Sequence, residues 1–433
     1  MTTGQDIHDL VARLYPICRS ITGDGVRQTL RHLSDVVPLA TYEIPSGTPI
    51  FDWVVPKEWN VRSAYIAKPS GERIVDFDDH NLHLMSYSTP VNARLSRAEV
   101  LRHVHTLPEH PTWIPYRTSY YRESWAFCTR HADLGRFDSA EYDVRIDTTL
   151  TDGSLTYGEL YLPGKSDDEV LFFSHVCHPS LANDNLSGVA VTAFLARALM
   201  NTEREFSYRF VWAPGTIGSI AWLATRPEVL PNVRCGLVAV LLGDSGVFQY
   251  KETRFGNAPI DRICRRVVAR RGGICLPFEP YGYDERQFAS PGINLPVGRL
   301  TRTPNGKYPE YHTSADDLSL VRPDKLAEAL DVVTEIVDVV EQDDCYLNLS
   351  PQCEPQLGRR GLYRSTGGDN LPEQQLAFLW LLNRSDGDHS LLDIAEESGI
   401  DLAIVRAAAD ELVAAELLAR ARWSARSAVY SNR

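Results

Sequence analysis

Apolar positions recur at helical spacing from Asp6 to Tyr15 and again from Arg27 to Val36, with a glycine-bearing break at Ile21–Gly25 between them. From about Ile44 to Lys165 the texture changes. Short apolar–polar alternations rich in Trp, Tyr, Thr and Pro predict strands and turns rather than helices. Tyr142–Thr149 and Ser154–Tyr161 alternate on either side of Thr151–Gly153, which predicts a strand pair turning there. Beyond Glu169 the pattern switches to α/β. Val170–Phe173 is continuously apolar, as a strand buried on both faces would be. Helix Leu186–Met200, strand Ser207–Trp212, helix Ile217–Ala224, strand Leu237–Leu242 and helix Asp261–Arg271 follow, then one long amphipathic helix, Leu320–Gln342.

Alternating strands and helices predict an α/β fold with a mostly parallel sheet and helices on both faces. Residues 346–372 read as a polar connector. Leu376–Leu418 has the outline of a winged helix-turn-helix, with a glycine turn inside Leu391–Ile400. The expected division is residues 1–45 with 130–350 as the α/β domain, 46–129 as an inserted β-rich domain, and 360–433 as the winged-helix domain.

Composition narrows the functional classes. The net charge of −13 argues against a general nucleic-acid or anionic-membrane surface. The winged-helix region keeps this bias: residues 359–433 hold nine arginines, no lysine and eleven acidic residues. Its expected recognition segment, Asp401–Asp410, offers only Arg406 to a phosphate backbone, so no nucleic-acid partner is expected. The eight cysteines contain no CxxC pair, which predicts free thiols rather than a disulfide frame or zinc knuckle. The opening residues lack a basic stretch followed by an apolar run, and no apolar run approaches the ~20 residues of a membrane span. No membrane partner and a cytoplasmic location are expected. Oligomeric state stays open, a symmetric homo-oligomer being common among soluble chains.

The chemistry concentrates in residues 174–188, SHVCHPSLANDNLSG, directly after the apolar strand and before a helix. In open α/β sheets, ligands bind at the carboxyl ends of strands. His175 sits there, and Asp184 lies in the tight turn that follows. Imidazole nitrogen with carboxylate oxygen is a donor pair suited to zinc. His178 and Cys177 flank His175 and read first as loop-shaping residues.

Asn183–Gly188 resembles the N-D-N-x-S-G turn of zinc aminopeptidases of the co-catalytic type. Leu242–Gly246 and Tyr311–Asp316 resemble that family's later Asp segment and its H-T-x-x-D segment. The resemblance implies zinc, one or two ions, with His175, Asp184, Asp244 and His312 as ligands. A closer resemblance runs through Pro16–Gly25, Phe51–Trp59 and Tyr308–Asp316, to an uncharacterised bacterial aminopeptidase-like family. It implies a peptidase-like domain, an inserted β-rich domain, a C-terminal winged helix, and a setting in natural-product or polysaccharide biosynthesis.

One departure stands out. The co-catalytic enzymes carry adjacent glutamates after the next strand, where this chain reads VWAPGTIGS (211–219), with Gly215 in the acid's place. The site then uses one zinc, or borrows another carboxylate as base (Glu310, Glu285 or Asp284), or is catalytically inactive. Arg286 and Tyr311 are the substrate-binding candidates, Arg286 because a guanidinium can clamp a carboxylate through two hydrogen bonds. The expected activity is zinc-dependent hydrolysis of an amide bond in a small amino-acyl or peptide-like substrate. The alternative is an inactive peptidase-fold protein that holds a ligand or a partner enzyme.

Overall fold

The computed structural model describes residues 2–362 and 372–421. The chain divides into two compact units, Met1–Thr334 and Glu335–Arg433.

The first unit is built on a mixed eight-stranded sheet. Its strands are β1 (Ala40–Pro45), β2 (Ser154–Leu162), β3 (Glu169–His175), β4 (Ser207–Ala213), β5 (Val233–Ala239), β6 (Gln249–Lys251), β7 (Ile274–Leu276) and β8 (Val297–Thr301), in the order β1-β2-β4-β3-β5-β8-β6-β7. The four central strands, β4-β3-β5-β8, are parallel. Every residue of β3 and β4 is buried, and in β3 this accounts for the unbroken apolar run Val170–Phe173. The helix Gly188–Leu199 is buried along nearly its whole length, so small residues dominate it and let it lie close to the sheet. Gly188 makes that approach possible: a Cβ there would stand 2.5 Å from the Ala239 carbonyl oxygen.

A second, four-stranded sheet is formed by Arg73–Asp76, Glu58–Ala67, Glu141–Thr151 and Val91–Ser96, in that order. It takes in Glu141–Thr151, past the expected boundary at 129 but within the Ile44–Lys165 stretch of β-like texture. The strand pair expected around Thr151–Gly153 is corrected. Glu141–Thr151 pairs with Glu58–Ala67 and Val91–Ser96, whereas β2 pairs with β1 and β4. Instead of closing a hairpin, the turn carries the chain from one sheet to the other. It is held from outside, by Ser46 Oγ accepting from the Gly153 amide and Glu58 Oε2 accepting from the Ser154 amide.

In the second unit, helices Glu373–Arg384, Leu391–Ser398 and Leu402–Ala414 accompany a three-stranded sheet of Asp386–Ser390, Cys345–Asn348 and Leu418–Arg420. The first of these strands is too polar to announce itself, and Cys345–Asn348 was absorbed into the connector. The eight cysteines are free thiols. Among the described residues no helix is long and apolar enough to cross a membrane.

Candidate metal centre at the sheet edge

His175 is the last residue of β3, opposite Ala213 at the end of β4, and so lies at the carboxyl edge of the parallel strands. The chain then loops to Asp184, whose peptide bond to Asn185 is cis. Each polar residue of the Asn183–Ser187 turn has a task. Asn185 donates to Ser174 Oγ and the His175 carbonyl and accepts from the Leu241 amide. Asn183 accepts from the Gly243 amide, and Ser187 donates to the Asn183 carbonyl while accepting from the Leu242 amide. The turn is thereby riveted to the ends of β3 and β5. Asp184 is left with its carboxylate facing inward, 1 % exposed.

Three imidazoles surround that carboxylate. His175 Nε2 is 2.8 Å from Asp184 Oδ1, His312 Nε2 is 3.1 Å from Oδ2, and His178 Nε2 is 3.9 Å from Oδ2. The His178 ring centroid lies 5.2 Å from those of both His175 and His312. His175, His178 and Asp184 meet the spacing of a metal-binding cluster, with ligand atoms within 4.8 Å of one another. His178, read from sequence as a loop-shaping residue, thus joins the site. The only signal for it was its place three residues after His175.

Burial opposes the charge of Asp184, but the histidine charges and the hydrogen bonds from His175 and His312 outweigh it and hold the carboxyl well below its usual range. Burial pushes the His178 imidazole down to about 3, so its ring is neutral near pH 7, the form that offers a lone pair to a metal. Cys177 is pushed up to about 12, again by burial, which removes it as a thiolate nucleophile.

Asp244 is not one of the three residues whose ligand atoms lie within 4.8 Å of one another. Its carboxylate accepts from Asn183 Nδ2, the Gly246 amide, and the Thr303 amide and hydroxyl. It organises a turn, the role a Gly-Asp-Ser-Gly segment commonly has. Asp316, at the end of the H-T-S-A-D segment, does the supporting work that the sequence did not assign. Its two oxygens accept from the Asn183 and Asp184 amides, and Tyr308 donates to it as well. Burial first, and the nearby Asp184 charge second, raise its carboxyl to about 7.

The three candidate bases separate clearly. Glu285 is committed: its Oε1 is 2.9 Å from Lys251 Nζ and 3.3 Å from an Arg299 amino nitrogen. Asp284 lies behind His175, with Oδ2 3.7 Å from Nδ1, the nitrogen turned away from Asp184. Ser219 donates to its other oxygen at 2.8 Å. Asp284 Oδ2 and His175 Nδ1 are both buried and have no other partner. Burial raises Asp284 to about 7. Glu310 is half-buried, two residues before His312, and its carbonyl closes the turn by accepting from Thr313. Tyr311 stacks on His312 at 3.9 Å between ring centroids, and Arg286 is exposed.

The acid absent at position 215 has its place filled. A Cβ on Gly215 would lie 2.3 Å from Tyr283 Cε1 and 2.9 Å from Asp284 Oδ2. Tyr283 donates to the Gly215 carbonyl at 3.1 Å and packs edge-on to His175 at 4.7 Å.

Residues 8–343 match the family model described as a domain of unknown function, DUF4910, and residues 344–420 match a winged helix-turn-helix model. The chain belongs to the DUF4910 family. A Clostridium acetobutylicum protein described as a candidate polysaccharide biosynthesis protein with an aminopeptidase-like domain is 48% identical over 419 residues, covering 96% of each chain. A crystal structure of a candidate peptidase from Clostridium acetobutylicum superposes with a TM-score of 0.85 at 46% identity, again over 96% of each chain. The zinc aminopeptidase of Bacillus subtilis matches at TM-score 0.55 and 13% identity, over 78% of this chain and 95% of its own. That likeness establishes the aminopeptidase-like fold of this DUF4910 chain. At such identity it does not carry the activity across.

Proposed function

We propose that this DUF4910 protein is a mononuclear zinc hydrolase of amide bonds in small amino-acyl or peptide-like substrates. The observation behind the proposal is the convergence of His175, His178 and His312 on the buried Asp184 carboxylate. A set of three imidazoles and one carboxylate suits zinc. The orphaned pair of His175 Nδ1 and Asp284 Oδ2 supports the fit, since a ligating histidine usually donates its second N–H to a carboxylate. The chemistry such an ion supplies when bound is polarisation of a carbonyl and a more acidic water.

The remaining roles belong to side chains of this chain. Asp284 fixes the tautomer and orientation of His175. Tyr311, stacked on His312, and Tyr283, edge-on to His175, restrict water around the two rings. Glu310 is assigned the proton-transfer role, because Glu285 is neutralised in ion pairs and Asp284 sits on the far side of His175. The filled space at Gly215 supports one ion over two.

The test is metal content of the full chain purified without chelator, with hydrolysis of a panel of aminoacyl p-nitroanilides. One zinc per chain, lost in Asp184→Ala together with turnover, is the expected result. Wild-type protein free of metal after zinc reconstitution and inert on the panel sinks the proposal in favour of a non-catalytic ligand-holding role.

A further inference from the structure

A cavity of about 190 Å³ lies against the two tyrosines that flank the histidines. Tyr283 and Tyr311 line it, together with Lys251, Arg299 and Lys307. Its size is that of a single amino-acid side chain, below the roughly 300–1,000 Å³ of drug-sized sites.

The charges here are arranged unusually. Lys251 and Arg299 are direct partners across the antiparallel β6–β8 ladder, 5 % and 8 % exposed. Like charges placed opposite one another repel, and burying them is costly unless they are paired. Only Glu285 bridges both, through a single oxygen, Oε1. Arg299 also donates to Asn305, yet its Nε is buried with no partner. Lys307, exposed at the rim, makes no hydrogen bond or ion pair through its ammonium among the described residues. The acidic lining residue, Glu279, is exposed. In a chain of net charge −13, the cavity beside the histidine cluster keeps a surplus of positive charge.

We infer that this cavity binds a carboxylate carried by the substrate, so that the preferred substrates are acidic amino-acyl compounds or short peptides presenting a free carboxyl end. This inference rests on the hydrolase reading above for its biological sense, but not for its test. Arg299 supplies the charged donor, Lys307 the attraction at the rim, and Tyr311 sets the distance from His312. The role expected of Arg286 from sequence thereby passes to Arg299, an arginine inside a strand that carries no motif.

The test is calorimetric titration of the full-length protein with glutarate at low ionic strength, using wild type, Arg299→Gln and Lys307→Ala, with inorganic phosphate as a parallel probe. Glutarate should bind the wild type, about threefold more weakly after Lys307→Ala, where one rim charge is lost. Binding should vanish in Arg299→Gln that keeps the wild-type circular dichroism. Lys307 is exposed, so its variant remains informative if Arg299→Gln does not fold. Wild-type protein that ignores glutarate, equal affinity in wild type and Lys307→Ala, or binding of phosphate without glutarate overturns the inference. Because the readout is binding, a protein that binds glutarate yet cleaves no amide would refute the hydrolase reading alone.

Discussion

Placing a methyl group at position 215 asks whether the missing acid reflects missing space. An alanine Cβ would lie 2.3 and 2.8 Å from Tyr283 Cε1 and Cζ and 2.9 Å from Asp284 Oδ2. Carbon atoms in contact prefer about 3.5–4.0 Å, so the ring must retreat by over ~1 Å. It has little freedom to do so. Its hydroxyl is bonded to the Gly215 carbonyl, its edge rests on His175, and the neighbouring Asp284 is tied to Ser219. Overpacking of this kind costs about 1–3 kcal/mol. Gly215 does not have a positive φ, so alanine also gains about 0.4–1 kcal/mol by restricting the unfolded chain. The net expectation for Gly215→Ala is a loss of about 0–2.6 kcal/mol, centred on about 1 kcal/mol, read by urea unfolding of the full chain. The two units require the transition to be followed by more than one probe. In Tyr283→Ala only the Asp284 Oδ2 contact remains, so the cost of Gly215→Ala should fall there, giving a coupling energy of about 1 kcal/mol. Additive effects, or a Gly215→Ala variant more stable than wild type, would refute the reasoning. The functional corollary is that Gly215→Glu cannot restore an acid to this site while Tyr283 remains.

Three further outcomes follow from the geometry. His178→Ala should weaken zinc binding at least ~10-fold, whereas Asp244→Asn should leave it nearly unchanged, since the Asp244 oxygens serve a turn; competition with a chromogenic chelator ranks the two. Asp284→Asn should lower zinc affinity ~10–100-fold with little change in fold, and unchanged affinity would remove Asp284 as the residue orienting His175. Glu58 is held down to about 2, chiefly by hydrogen bonds from Arg27 and against the effect of burial. Its folded value is depressed, so its contribution is fully present above about pH 4.5 and is lost as pH falls toward 2. Discounted for solvent screening, that contribution is about 1–2 kcal/mol, so wild type should lose its stability advantage over Glu58→Gln across that window, and parallel stability profiles would contradict it.

How much of this was legible depends on whether a residue's role is written in its neighbours along the chain. The buried strands and the His175–Asp184 arrangement were, because β3, the turn and the helix after it are contiguous and their patterning is local. The strand pair at Thr151–Gly153 was misread for the complementary reason. Alternation reports that a segment is extended but not which sheet it joins, and the deciding contacts come from Ser46 and Glu58, some hundred residues upstream. Asp244 shows the same limit. A Gly-Asp-Ser-Gly turn offers a carboxylate, and only the positions of Asn183 and Thr303 reveal that it also holds a turn.

The loop carrying Tyr283, Asp284 and Glu285 was the hardest part to read, and it matters most to the site's chemistry. From sequence it was a polar cluster with one arginine worth noting. In the fold its three consecutive residues face three ways: Tyr283 into the space over Gly215, Asp284 onto His175 Nδ1, and Glu285 between Lys251 and Arg299. A glycine at 215 and a bulky ring at 283 are therefore a single structural decision. Neither position alone shows that the acid's place has been given to an aromatic wall. With the wall in place there is no room for an acid at 215, a carboxylate stands behind His175, and Lys251 and Arg299 share the buried Glu285 while lining a cavity. Together, these features support the proposed site of one ion and an anionic substrate group over a two-ion site that has lost a ligand.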